Sequence, residues 1–230
     1  MKKYKTLLFD VDDTLLDFGT AESAALRLLF EEQKLTLTPE MESHYKKFNK
    51  GLWWSYEAGE ISRDELLNSR FSKFFREYGQ DVDGILLEKK FRGYLREGYQ
   101  LINGAFELIK DLESEYDLYI ITNGVSETQD KRLRASGLHP LFKNIFVSED
   151  IGYQKPRKEF FDYVFARIPN FTEKQSLVIG DSLGSDIKGA ELAGLDSCWF
   201  NPEKNPNDTT IVPTYEIRKL NELYIILNKY

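Results

Sequence analysis

Five short segments of the chain are largely apolar and do not alternate with polar residues. They are KTLLFDV (5–11), YDLYIITNG (116–124), NIFVSED (144–150), SLVIGDS (176–182) and DSCWFN (196–201). Continuous apolar runs of this length suit strands covered on both faces, as in a parallel sheet. Helical patterns lie between them. GAFELIKDLES (104–114) precedes the second strand, and SETQDKRLRASG (126–137) opens on a Ser126/Gln129 capping box and closes at Gly137. RKEFFDYVFARI (157–168) and LGSDIKGAELAG (183–194) follow. This regular alternation predicts an α/β fold with a Rossmann-like, doubly wound parallel sheet. After Asn201 the stretch PEKNPND reads as a loop, TYEI as an edge strand and KLNELYIIL as a closing helix.

One block breaks the alternation. Residues 18–99 contain helical patterns and no strand-like run. Thr38-Pro39 reads as an N-cap followed by proline at the first helical position. Ser62 and Glu65 form a second capping box, and Leu66, Leu67, Phe71, Phe74, Phe75 and Tyr78 follow at helical spacing. The expected organisation is a core made of residues 1–17 and 100–230, with an all-helical domain, 18–99, inserted after the first strand.

Composition narrows the classes. The 230 residues are 41% hydrophobic and 30% charged, enough apolar material for a real core. The net charge of −7 argues against a nucleic-acid polymer or a membrane surface as partner. No apolar run reaches membrane-spanning length, and the four residues between Lys5 and Asp10 are too few for a signal-peptide apolar region. The expected location is the cytoplasm. Cys198 is the only cysteine, and His44 and His139 are the only histidines. Thiolate sites, multi-histidine metal sites and histidine triads are therefore disfavoured, and carboxylate chemistry remains.

The ends of the strands hold that chemistry. The first strand ends in Asp10-Val-Asp12, the second in Thr122-Asn123-Gly124, and the fourth in Gly180-Asp181-Ser182 with Asp186 beyond. The loop after the third holds Lys155. Ligands of open parallel sheets bind beyond the carboxyl ends of the strands, so these groups should converge. Two carboxylates side by side repel, and a positive charge must accompany them. Any one of these motifs alone reads as a turn or a helix cap, and Asp13 and Asp17 are read that way. The ordered set does not.

The set DVDDT (10–14), ITNG (121–124), Lys155 and GDSLGSD (180–186) resembles the haloacid dehalogenase-like superfamily of phosphohydrolases. The likeness spans essentially the whole chain, and is strongest to its pyrimidine 5′-nucleotidase-like branch. The resemblance implies a phosphatase with Asp10 as nucleophile, forming an aspartyl-phosphate, and Asp12 as general acid and then base. It implies Mg²⁺, held by Asp10, the backbone carbonyl of Asp12, and Asp181, with Asp186 and Thr14 behind them. Thr122, Asn123, Gly124 and Lys155 would hold the phosphate. Trp54, on the polar face of helix 39–58, and Trp53, beside its apolar stripe, are candidates for specificity, although packing between helices is the favoured reading for Trp54 and a place in the core for Trp53. The expected substrate is a small phosphorylated metabolite, a nucleoside 5′-monophosphate first and a sugar phosphate second, the latter handled by a phosphatase or phosphomutase. The expected assembly is a monomer or homodimer. A phosphoaspartate signalling receiver is the reading from a different class, and Asp12, two residues after the nucleophile, speaks against it.

Overall fold

The computed structural model describes residues 3–228; Met1, Lys2, Lys229 and Tyr230, which the expected core range includes, lie outside the described residues. The chain divides into two compact units. One comprises Met1–Asp17 with Tyr99–Tyr230, the other Phe18–Gly98.

The first unit is built on six strands: β1 (Thr6–Phe9), β2 (Asp117–Thr122), β3 (Asn144–Val147), β4 (Ser176–Gly180), β5 (Asp196–Phe200) and β6 (Tyr215–Ile217). All pairs are parallel, in the order β3-β2-β1-β4-β5-β6. The non-alternating runs are explained by burial on both faces. Leu7, Phe9, Ile120, Leu177 and Ile179 point into one apolar cluster, completed by Leu108, Ile109 and Leu112. Leu8, Tyr119, Ile121 and Val178 point into the other, with Phe160, Phe161 and Val164. TYEI does form the edge strand β6.

The second unit holds four helices: α1 (Phe18–Glu32), α2 (Pro39–Glu57), α3 (Arg63–Glu77) and α4 (Gly84–Leu95). The Thr38 side chain accepts from the Met41 amide and the Ser62 side chain from that of Glu65, so both expected N-caps are made. Asp83 caps α4 in the same way. The unit's apolar cluster includes Leu26, Phe30, Tyr45, Phe71, Phe74 and Phe91. Through it runs a buried polar chain. Arg70 donates to Glu88 and to Asn49 Oδ1, and Asn49 donates to Glu22.

The remaining helices belong to the first unit: α5 (Ala105–Leu112), α6 (Ser126–Ala135), α7 (Ser148–Ile151), α8 (Lys158–Phe165), α9 (Lys188–Leu192) and α10 (Leu223–Ile226). Three differ from the sequence reading. The run NIFVSED bends after Val147 into the single turn α7. The segment 183–194 begins as a wide π-helical turn, Leu183–Ile187, before α9. The tail forms a 3-10 turn, Leu220–Glu222, and the short α10 in place of one continuous helix. Among the described residues, no helix is long and apolar enough to cross a membrane.

Candidate active site

The register brings the site together. Phe9 pairs with Ile120 of β2 and with Ile179 of β4, so the carboxyl ends of three adjacent strands lie side by side. Strand order reverses beside β1, the position where open α/β sheets bind ligands. Asp10 leaves β1 as a buried residue with its amide bonded to the Ile179 carbonyl at 2.9 Å. Asp13 then takes a left-handed φ of 56°, which turns the chain back so that its amide reaches the Leu16 carbonyl.

Lys155 is the hub. Its ammonium donates to Asp10 Oδ1 at 2.7 Å, to Asp186 Oδ1 at 2.6 Å and to the Ile121 carbonyl at 2.8 Å. An ammonium has three donors, so all are engaged within the protein. In this arrangement Lys155 serves the carboxylates, and a direct bond to phosphate requires one of the three to be exchanged. The Asn123 side chain grips the backbone of Lys155 from both sides, accepting from its amide at 2.9 Å and donating to its carbonyl at 3.0 Å. Strand-end position in the sequence carries no signal of that use of the side chain.

Asp10, Asp181 and Asp186 each present a carboxylate oxygen within 4.8 Å of the others. Burial pushes the Asp10 carboxyl up to about 8, against the pull of Lys155 and with further upward pressure from Asp186 and Asp12. Asp181 keeps part of its surface in solvent, yet enough protein surrounds its carboxyl for desolvation to drive its pKa well above the ordinary value. Asp10, Asp186 and Asp13 add to that rise. Burial works against the Lys155 ammonium as well, but Asp10 and Asp186 outweigh it and raise its pKa. With all three ionised, three carboxylates around one ammonium would leave two negative charges uncompensated. An all-oxygen donor set with that deficit fits a hard divalent cation such as Mg²⁺.

Asp186 is fixed on both oxygens, by Lys155 and by the Ser182 amide at 3.1 Å. It approaches the chain so closely that a Cβ on Gly180 would lie 2.2 Å from its Oδ2. Trp199, on β5, donates its indole N–H to the Asp181 carbonyl at 2.8 Å and steadies that loop. Thr14 is buried, and its hydroxyl has no hydrogen-bond partner among the described residues.

The other half of the site comes from α6. Thr122 Oγ1 accepts from the Gly124 amide and from Gln129 Nε2. Gln129 and Arg132, one helical turn apart, both reach Asp12. The expected Ser126/Gln129 capping box is not made. Ser126 is the first helical residue, with its hydroxyl bonded to Asp150, because Gln129 is drawn into the site. The sequence did carry a signal: α6 buries Thr128, Gln129 and Arg132 along with Leu133, a polar stripe where an apolar one is the norm.

In the helical unit, Trp54 is 58% exposed, with Lys50 Nζ 5.3 Å from its ring centroid. Packing between helices, the favoured explanation, does not account for it: the polar face of α2 leaves the indole in solvent. Trp53 is half-buried with its ring edge against Tyr56.

Residues 7–200 match the model of the haloacid dehalogenase-like hydrolases. The chain is 62% identical to the HAD-hydrolase YfnB of Bacillus subtilis over 99% of its own length and 97% of that protein's. It is 41% identical to the pyrimidine 5′-nucleotidase PynA of Streptococcus pneumoniae, covering 98% and 96% of the two chains. For the pyrimidine 5′-nucleotidase YjjG of Escherichia coli the identity is 32%, covering 99% and 100%. A crystal structure of YfnB bound to magnesium superposes with a TM-score of 0.95 at 61% identity, covering 99% of this chain and all of that one.

Proposed function

The chain belongs to the haloacid dehalogenase-like hydrolase family, and we propose that within it the protein is a Mg²⁺-dependent phosphoric monoester hydrolase acting on nucleoside 5′-monophosphates. The observation that carries this reading is the charge arrangement at the strand ends, where carboxylates outnumber the one ammonium and a further carboxylate, Asp12, stands two residues from Asp10. The pyrimidine specificity of two relatives supports the substrate class.

Asp10 Oδ1 is held by Lys155, which leaves Oδ2 to attack phosphorus. A bond forms between Oδ2 and phosphorus as the bond to the alcohol oxygen breaks, and Asp12 hands its proton to that oxygen. Asp12, now a carboxylate, then takes a proton from the water that attacks the phosphorus of the aspartyl-phosphate. Inorganic phosphate leaves and Asp10 is restored. The Thr122 hydroxyl and the Asn123 amide bind phosphoryl oxygens as preorganised donors, and the Gly124 amide, bonded to Thr122 Oγ1, supports that hydroxyl. Asp10, Asp181 and the Asp12 carbonyl would hold Mg²⁺, which would supply neutralisation of the like charges of carboxylate and phosphate. Asp186 and Thr14 support that set from behind. The helical unit is the cap in this reading, and exposed Trp54 is its candidate for contact with a base.

The test is phosphate release with and without Mg²⁺ across nucleoside monophosphates, sugar phosphates and phosphoglycolate. Mg²⁺-dependent turnover with a pyrimidine preference is expected, with loss of turnover in a folded Asp10→Asn variant and a changed substrate ranking in Trp54→Ala. Broad activity on sugar phosphates would replace the nucleotide assignment. Wild-type rates in Asp10→Asn would remove the mechanism.

A further inference from the structure

Arg132 is 1% exposed and Gln129 equally so, and neither has a part in the chemistry described above. A buried arginine is costly unless its partners are well placed. Here they are. Arg132 Nη1 donates to Asp12 Oδ1 at 2.5 Å and to Gln129 Oε1 at 3.0 Å. Gln129 Nε2 donates to Asp12 Oδ2 at 2.8 Å and to Thr122 Oγ1 at 2.9 Å.

The donors on the side of the array that faces Asp12 are all accounted for. Guanidinium is donor-only, so the oxygen of the Gln129 amide faces Arg132 and its nitrogen faces Asp12 and Thr122. Both hydrogens of Arg132 Nη1 are used, and both of Gln129 Nε2. Thr122 Oγ1 also accepts the Gly124 amide at 3.1 Å, so its lone pairs are taken and its own hydrogen is left to donate elsewhere. Each Asp12 oxygen accepts one bond from the array, so any proton Asp12 carries sits on a lone pair outside it. The fit is tight: a Cβ on Gly124 would lie 2.5 Å from Gln129 Nε2.

We propose that Gln129 and Arg132 are positioning residues that set the orientation of the Asp12 carboxyl and turn the Thr122 hydroxyl outward as a donor to the phosphoryl group. The inference rests on the phosphatase reading. It assigns the two α6 side chains an effect on proton transfer, exerted through Asp12, and on phosphate binding, exerted through Thr122.

The experiment compares Arg132→Met, Gln129→Met and Arg132→Lys with wild type on an alkyl phosphate and on p-nitrophenyl phosphate, in steady state and by stopped flow. Nitrophenolate leaves without a proton, so forming the aspartyl-phosphate from it needs little of Asp12. In Arg132→Met, turnover of the alkyl ester should fall roughly 10- to 100-fold. The first-turnover release of nitrophenolate should fall far less and appear as a burst, because hydrolysis of the phosphoenzyme is slowed. Arg132→Lys should recover part of the loss. In an Asp12→Asn background, Arg132→Met should lower first-turnover release no further. Should Arg132→Met fail to fold by circular dichroism, Gln129→Met carries the burst comparison with the ion pair intact, its effect through Thr122 being read separately as a raised KM on both esters. Equal losses on both esters with no burst, or an equal additional loss in the Asp12→Asn background, would overturn the inference while leaving the phosphatase reading standing. A wild-type protein inactive on both esters would remove the phosphatase reading and this inference with it.

Discussion

A carboxyl that titrates near 8 is an awkward nucleophile until something displaces its proton. Asp10, the proposed nucleophile, is pushed into that condition chiefly by burial, and Asp181 is shifted in the same direction. A cation must evict those protons. Mg²⁺ affinity should therefore rise as pH climbs towards about 8, and fall about tenfold for each pH unit below it per proton displaced. Calorimetric titrations at pH 6 and pH 8 in buffers of different ionisation heat would show both the affinity change and the protons released. The same shift bears on stability. A folded-state pKa above the unfolded value means that the folded protein holds the extra proton, so the Asp10 contribution to stability declines as pH rises from about 4 to about 8 without metal. Asp12 is a different case, since its carboxyl is engaged by Arg132 and Gln129 and its proposed metal contact is the backbone. Asp12→Asn should lower turnover of an alkyl phosphate about 10²- to 10⁴-fold while leaving the Mg²⁺ dissociation constant nearly unchanged. A large loss of metal affinity in that variant would contradict the assignment. At this scale the sequence was legible for residues whose meaning lies in strand-end position, such as Asp10, Asp181 and Lys155. Gln129 and Arg132 were hidden because their shared partner is distant in sequence: Arg132 is 120 residues from Asp12.

The elements that were read well are those with a strong local cause. Both-face burial identifies β1, β2 and β4 without a partner in view, and side-chain caps locate the starts of α2 and α3. The elements that were misread respond to tertiary demands. The wide turn at Leu183–Ile187 carries Asp186 back against the end of β4, and an ideal helix drawn from the sequence pattern misses that displacement. Gly180 is the element's hinge point in a steric sense, because any side chain there collides with the Asp186 carboxylate. Gly180→Ala should therefore move Asp186 away from Lys155 and the Ser182 amide, lowering turnover about 10²-fold with weaker Mg²⁺ binding. Kinetics alongside a melting curve would check this, and unchanged turnover would show that Asp186 is not positioned by that contact. Asp13 is the converse: it holds a left-handed conformation that glycine adopts freely, at a cost a glycine there would not bear.

At the scale of the molecule, a protein of net charge −7 gathers its uncompensated carboxylates at one end of a sheet and leaves them to a cation. The order in which that sheet is completed follows from its topology. β1 is the first strand made, but its partners β2 and β4 begin more than a hundred residues later. The intervening helical unit draws its apolar cluster from Phe18–Leu95 alone and has everything it needs once it has emerged. On a ribosome adding ~5–20 residues per second, the segment Thr6–Phe9 waits roughly 5–20 s with no strand beside it. Stalled nascent chains ending before residue 117 should then resist protease across the helical unit and be cut within residues 5–11, and protection of both would disprove the order. The strand that leads into Asp10 is thus a short, largely apolar segment left unpaired through much of synthesis, and it gains neighbours on both sides only once β4 has been made.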